Sequence, residues 1–136
     1  MKKPIAEASV RLRVPFHDCD PLQIVWHGRY FEYFELARTE LFSTCGLDVP
    51  QFRELGYRMY VSDVRCRYTF PLAYGEDAEV NARLTATRPL LRVAYSVRNL
   101  SQNRASARGY CVLAVTDAEG KLCPETPDVI VDRLRS

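Results

Sequence analysis

The sequence predicts an α+β fold in which one mainly antiparallel sheet curls around a single long helix. Two patterns carry this expectation: apolar residues recur at three- and four-residue steps between Tyr30 and Cys45, and alternate strictly from Ala78 onward between short turn signals. The chain has 136 residues, 47% apolar and 26% charged, the balance of one folded domain able to bury a core. No repeat, linker or composition shift divides it, so residues 1–136 read as a single domain.

The elements follow in order. In "SVRLRVP", residues 9–15, Val10, Leu12 and Val14 alternate with Arg11 and Arg13, the period of a half-buried strand that Pro15 closes. From Tyr30 the period changes: Tyr30, Phe34, Ala37, Leu41 and Cys45 share one side of a helix drawn over 28–45, while Glu32, Thr39 and Ser43 face away and Gly46 supplies the C-terminal stop. Arg38 falls at the edge of the apolar stripe, where a charge needs a carboxylate, carbonyls or an escape to solvent. "DVPQFRELG" reads as a short second helix with Asp48 as its N-cap and Gly56 at its end. In "YRMYVSDVRCRYTF" the set Tyr60, Val64, Cys66, Tyr68 and Phe70 shares a face opposite Asp63, Arg65 and Arg67, before Pro71 stops the run. Strands over 78–86, 91–97 and 105–116, joined at "TRPLLR" and "LSQNR", complete the expected sheet.

Charge and cysteine usage narrow the function. The net charge is +2 and all but three of the 19 basic residues are arginines, scattered rather than gathered in a block, which argues against a nucleic-acid partner and leaves room for a phosphorylated small molecule. Five cysteines and two histidines form no recognisable metal-ligand spacing, so no metal and no cofactor is expected. An odd cysteine count without an apolar leader suggests reduced thiols in a cytoplasmic protein, and no stretch approaches the length of a membrane span.

The chemistry concentrates in "HDCDPLQIVWHGRYFEYFELAR", His17 to Arg38. Asp20-Pro21 is a turn signal, but the near-apolar stretch Leu22 to Trp26, with Gln23 its one polar member, lies between that carboxylate and the helix start. Such surroundings offer a dry wall for an apolar acyl group. The first N–H groups of the helix have no intrahelical partner and carry the positive end of its dipole, so they suit the negative charge of a tetrahedral intermediate. Gly28 lets a ligand approach the backbone there. A carboxylate, an apolar wall and a helix N-terminus together describe an acyl-transfer site. Cys19 reads as a spectator thiol, Glu35 as a possible second carboxylate or an ion-pair partner of Arg38, and His17 and Asp18 as supporting residues.

"DCDP", "IVWH" and "RYFEYFELAR", followed by the strands, resemble the 4-hydroxybenzoyl-CoA thioesterase branch of the hotdog-fold acyl-CoA thioesterases. The resemblance runs through nearly the whole chain in order of elements. It implies a hotdog fold and hydrolysis of a thioester, with Asp20 as nucleophile or general base and the backbone N–H of His27 polarising the carbonyl. The substrate-binding residues then include Gln23, Ile24, Val25, Trp26 and Gly28. It further implies an acyl-CoA or acyl-carrier-protein substrate and a homodimer, often paired into a tetramer, with basic residues near the phosphates; Arg88 and Arg92 of "TRPLLR" are the candidates. Family members usually carry glycine at the position of Gln23 and commonly asparagine at that of Arg29. A hydratase or dehydratase on the same fold would add an asparagine-bearing helix motif that this chain lacks, and a non-catalytic acyl-binding domain would not need Asp20.

Overall fold

A computed structural model describes residues 3–136. Five strands, β1 (Ala6–Arg13), β2 (Tyr57–Tyr68), β3 (Asp77–Ala86), β4 (Leu91–Asn99) and β5 (Arg104–Asp117), form one sheet in the order β1-β3-β4-β5-β2. Every pairing is antiparallel. Helix α1 (Tyr30–Thr44) lies across the inner face, α2 (Val49–Glu54) leads into β2, and α3 (Asp128–Arg135) closes the chain. This is the hotdog arrangement that the resemblance implied.

The periodicities dictate which faces are buried. Ala78, Val80, Ala82 and Leu84 of β3 and Leu91, Val93, Tyr95 and Val97 of β4 are buried, their neighbours turned outward. On α1 the inward set Tyr30, Tyr33, Phe34, Ala37, Leu41 and Phe42 meets this surface, and the Phe34 ring stacks on Tyr95 with centroids 4.3 Å apart. The space between helix and sheet is tight at Gly109. A Cβ there would lie 2.0 Å from the Arg65 carbonyl oxygen and 3.0 Å from the Phe34 ring, so only glycine fits. Asp48 caps α2, accepting from the Val49 N–H, and Gly46 and Gly56 end the two helices with φ of +70° and +84°.

Three features depart from the sequence reading. The register between β2 and β5 slips at Val61/Asp63, a bulge that periodicity does not announce. Helix α3 was not foreseen, although Ile130, Val131 and Leu134 are spaced for one face and are buried. It braces the end of α1, Arg133 donating to the Gly46 carbonyl at 2.9 Å. Arg38 meets no carboxylate: half-buried, it reaches Tyr95 Oη at 3.5 Å and Cys111 Sγ at 3.9 Å, and it forms no ion pair with Glu35 among the described residues. Also among the described residues, no helix is long and apolar enough to cross a membrane.

Candidate active site

The segment from Asp18 to Trp26 folds back on itself as a tight turn. Gln23 N–H donates to the Asp20 carbonyl at 2.8 Å and Asp20 N–H to the Ile24 carbonyl at 2.9 Å. Closing the turn forces Gln23 into the left-handed region, φ +69°. Glycine adopts that conformation without strain, so Gln23 holds a backbone position that favours glycine. Beyond the turn, Val25 N–H donates to the Leu72 carbonyl and Trp26 N–H to the Asp18 carbonyl, so the returning limb is stitched on both sides.

Asp18 anchors this construction from within. It is 5% exposed, its Oδ2 accepts from Tyr33 Oη at 2.7 Å, and Arg29 Nε lies 3.6 Å and His17 Nε2 3.4 Å from Oδ1. That carboxylate is structural. Asp20, by contrast, is only half-buried and spends Oδ1 on the Leu22 N–H at 2.9 Å. Cys19 between them is a poor nucleophile: burial first, then the Asp18 and Asp20 charges, push its thiol pKa up.

A cavity of about 360 Å³ opens beside Asp20, lined by Leu22, Ile24, Val25, His27, Tyr30 and the segment Tyr68 to Pro71. The helix begins at its wall. A 3₁₀ turn, His27–Arg29, precedes α1, and its first backbone bond comes from Arg29 N–H to the Trp26 carbonyl, which leaves the N–H groups of His27 and Gly28 ahead of the hydrogen-bonded turn. The N-cap position is Trp26, whose side chain makes no capping bond. Tyr68 fixes the turn from β2, its hydroxyl donating to the His27 carbonyl at 2.7 Å while its ring packs edge-on against Tyr30 at 4.9 Å.

The structure thus brings Asp20, Ile24, Val25 and His27 to one cavity and assigns the other expected residues differently. Leu22 and Trp26 are 76% and 50% exposed and Trp26 does not line the cavity, so the apolar wall comes from Leu22, Ile24 and Val25 with Tyr30, Phe70 and Pro71 instead of the continuous run 22–26. The tight turn sets Leu22 at its tip, which is why it escapes burial. The space beside Gly28 is occupied by the Trp26 indole, 2.2 Å from where a Cβ would stand, so this glycine makes room for the ring and not for an open approach to the backbone. Gln23 lines a neighbouring cavity of about 440 Å³ with Phe16, Cys19, Asp20 and Tyr74. Arg88 is already paired with Glu125 at 3.2 Å and with Asp128, and it sits at the β3–β4 turn, the length of the ten-residue β3, roughly 30 Å, from the Asp20 end. Within the chain it is not free to meet a phosphate near Asp20. Arg92 lies over the Tyr110 ring at 4.0 Å.

Tyr68 is the residue that sequence reading missed. Its face on β2 was legible, but its partner lies 41 positions away in the chain, and no local pattern signals that distance.

Comparison with known proteins bears on the fold and the family. The chain is 36% identical over 74 residues to a provisionally named esterase of Aquifex aeolicus, covering 54% of this chain and 58% of that protein. It is 26% identical over 128 residues to another from Synechocystis, covering 93% of this chain and 77% of that one. Among solved structures, a hypothetical protein of Aquifex aeolicus superposes with a TM-score of 0.83 at 28% identity, covering 93% of this chain and 98% of the other. A 4-hydroxybenzoyl CoA thioesterase mutant in complex with 4-hydroxybenzoyl CoA superposes with a TM-score of 0.83 at 18% identity, covering 96% and 99%. This last likeness speaks for the fold alone. The sequence also matches the model of the thioesterase-like superfamily over residues 14–134, and the chain belongs to that family.

Proposed function

We propose that the protein hydrolyses an acyl thioester, with Asp20 supplying the attack and the backbone N–H of His27 receiving the charge on the carbonyl oxygen. The observation that carries this reading is the shared cavity: Asp20 and the side-chain-uncapped start of α1 line the same space of about 360 Å³. A thioester carbonyl seated there would meet a carboxylate on one side and the positive end of a helix on the other. Asp20 either attacks the carbonyl carbon, forming a mixed anhydride that water then cleaves, or takes a proton from the attacking water; both routes give the free acid and the thiol. Ile24, Val25, Tyr30 and Phe70 offer an apolar, partly aromatic wall, which supports an aromatic or fatty acyl group. The His27 imidazole takes no part in this scheme, since only its backbone is needed.

The same reading extends to a homodimer. β2 is a sheet edge twelve residues long, with Tyr60, Val61, Val64 and Tyr68 exposed along it, the kind of edge that pairs with a second copy. Because Tyr68 and Thr69 line the Asp20 cavity, a partner strand there would close its open side. All five cysteines are free, in keeping with a reducing, cytoplasmic setting.

Steady-state rates over benzoyl, phenylacetyl and fatty acyl thioesters, on CoA and on acyl carrier protein, test the proposal. Turnover of at least one substrate is expected. Failure of the purified protein to hydrolyse any of them would leave the non-catalytic acyl-binding reading in its place.

A further inference from the structure

The outer face of the sheet, turned away from α1, is electrostatically divided. At its β1 side arginines are neutralised: Arg11 meets Glu79 at 3.3 Å and Arg13 meets Asp77 at 3.1 Å. Across β3, β4, β5 and β2 the pattern is different. Arg83, Ala94, Tyr110 and Arg65 form one row by register, and Asn81, Ser96, Arg108 and Arg67 the next. Arg65, Arg67, Arg83 and Arg108 surround a trough of about 650 Å³ with Tyr110 in its lining, and Arg92 covers that tyrosine. None of these five arginines has a carboxylate within ion-pair distance among the described residues. The acids at the rim do not neutralise it: Glu7, opposite Arg83, is bonded to Asn81 at 3.0 Å, and Asp63, which precedes Arg65 on β2, forms no ion pair among the described residues.

We infer that this trough docks an acidic helix of a protein that carries the thioester, so that the thiol carrier is a carrier protein in preference to free CoA; the inference rests on the thioesterase reading for its substrate. Three physical points favour that occupant. Arg83 and Arg65 stand three strand spacings apart, roughly 14 Å, wide enough to seat a helix about 10–12 Å across with its side chains and too broad for those two guanidinium groups to converge on one phosphate. Carboxylates three and four residues apart on a helix are spaced by roughly 5–6 Å, commensurate with arginines about 5 Å apart across strands and about 7 Å along them. A second copy of the same face is disfavoured, because stacking it would oppose ten unpaired arginines, whereas edge pairing through β2 leaves this face open.

The trough also leads toward the catalytic cavity. Arg67 directly precedes Tyr68, and Arg104 lies over the Phe70 ring at 4.3 Å, both Tyr68 and Phe70 lining that cavity. From Arg67 to Pro71 the chain advances about 13 Å, a distance that a pantetheine arm covers.

The experiment compares wild type, Arg65→Ala/Arg108→Ala and the control Arg11→Ala, all checked for unchanged melting, on the same acyl group carried by acyl carrier protein and by CoA. In the double variant kcat/KM for the acyl-carrier-protein thioester is expected to fall at least tenfold, through KM, with the acyl-CoA value and the Arg11→Ala variant within twofold of wild type. An equal fall on both carriers would make the arginines a phosphate site, and no fall on either would remove them from recognition; each overturns the inference. A change in oligomeric state on sedimentation would overturn it in favour of a self-interface. If neither thioester turns over, the thioesterase reading has failed, and calorimetric titration with apo acyl carrier protein still decides the docking: salt-sensitive binding weakened at least tenfold in the double variant sustains it, and absence of binding overturns it.

Discussion

Replacing Tyr68 by phenylalanine separates the positioning of the helix start from its presence. The change removes one hydroxyl that donates to the His27 carbonyl at 2.7 Å and keeps the ring that packs edge-on against Tyr30 at 4.9 Å. A single hydrogen bond of this kind contributes about 1 kcal/mol net. For 136 residues, an unfolding entropy of about 2.1 cal/mol/K per residue converts that loss into a fall in Tm of about 3–4 °C. The effect on rate should be larger than the effect on stability, because losing an oxyanion donor outright costs about 10²–10³ in kcat and this variant only loosens the one proposed at His27. A fall in kcat of about tenfold, with KM within twofold, is therefore expected in steady-state assays at saturating thioester. Burial, and then the Cys66 thiol beside it, hold the Tyr68 pKa above the ordinary tyrosine value, so its hydroxyl keeps its proton at neutral pH and the variant should leave the pH–rate profile unmoved. A kcat within twofold of wild type, despite the lower Tm, would refute the argument that the His27 turn must be held in place for turnover.

Other substitutions test the surrounding construction. Gln23→Gly relieves a left-handed φ of +69°, worth about 1–2 kcal/mol of strain, against a backbone-entropy cost of up to about 1 kcal/mol; Tm should rise by about 1–3 °C in calorimetry, while Gln23→Val should lower it. Gly109→Ala drives a Cβ to 2.0 Å from the Arg65 carbonyl oxygen and should cost about 3 kcal/mol or more in urea unfolding; a change under 1 kcal/mol would mean that β2 yields there easily. Burial alone would raise the Glu76 pKa, but hydrogen bonds from Gln102, the Ala73 N–H and Asn99 bring it below the usual carboxylate value. Its folded pKa is thus lower than its unfolded one, so its contribution is full above about pH 4.5 and is lost as pH falls through the folded pKa. Glu76→Gln should flatten that part of the acid-unfolding curve, and an identical acid limb would contradict the assignment.

What the sequence made legible was what repeats locally. The stripe from Tyr30 to Cys45 and the alternation of β3 and β4 each report a burial pattern set by 3.6- and 2-residue periods, and both are found as expected. Asp20 and His27 were legible as candidates because turn and helix-start signals sit beside each other in the chain, although their chemical roles rest on the proposal above. Side-chain direction and long-range partners were not legible. Arg88 looked free because its partners Glu125 and Asp128 belong to the C-terminal segment, where α3 went unread. Gly28 suggested an open backbone because nothing in the order of residues says that the Trp26 ring folds over it. The outer-face arginines looked scattered for a related reason: positions 65, 67, 83 and 108 become neighbours only through strand pairing.

The central claim is that Asp20 performs the attack inside the cavity it shares with the start of α1. Asp20→Asn keeps the shape of the side chain and the acceptor that meets the Leu22 N–H at 2.9 Å, so folding and thioester binding should survive. The decisive measurement is kcat of Asp20→Asn beside wild type on one hydrolysable thioester, with Kd for that thioester determined on the variant. The account predicts a fall of at least about 10³ in kcat with Kd within a few-fold of the wild-type KM; a variant that binds the thioester and retains wild-type turnover would contradict it.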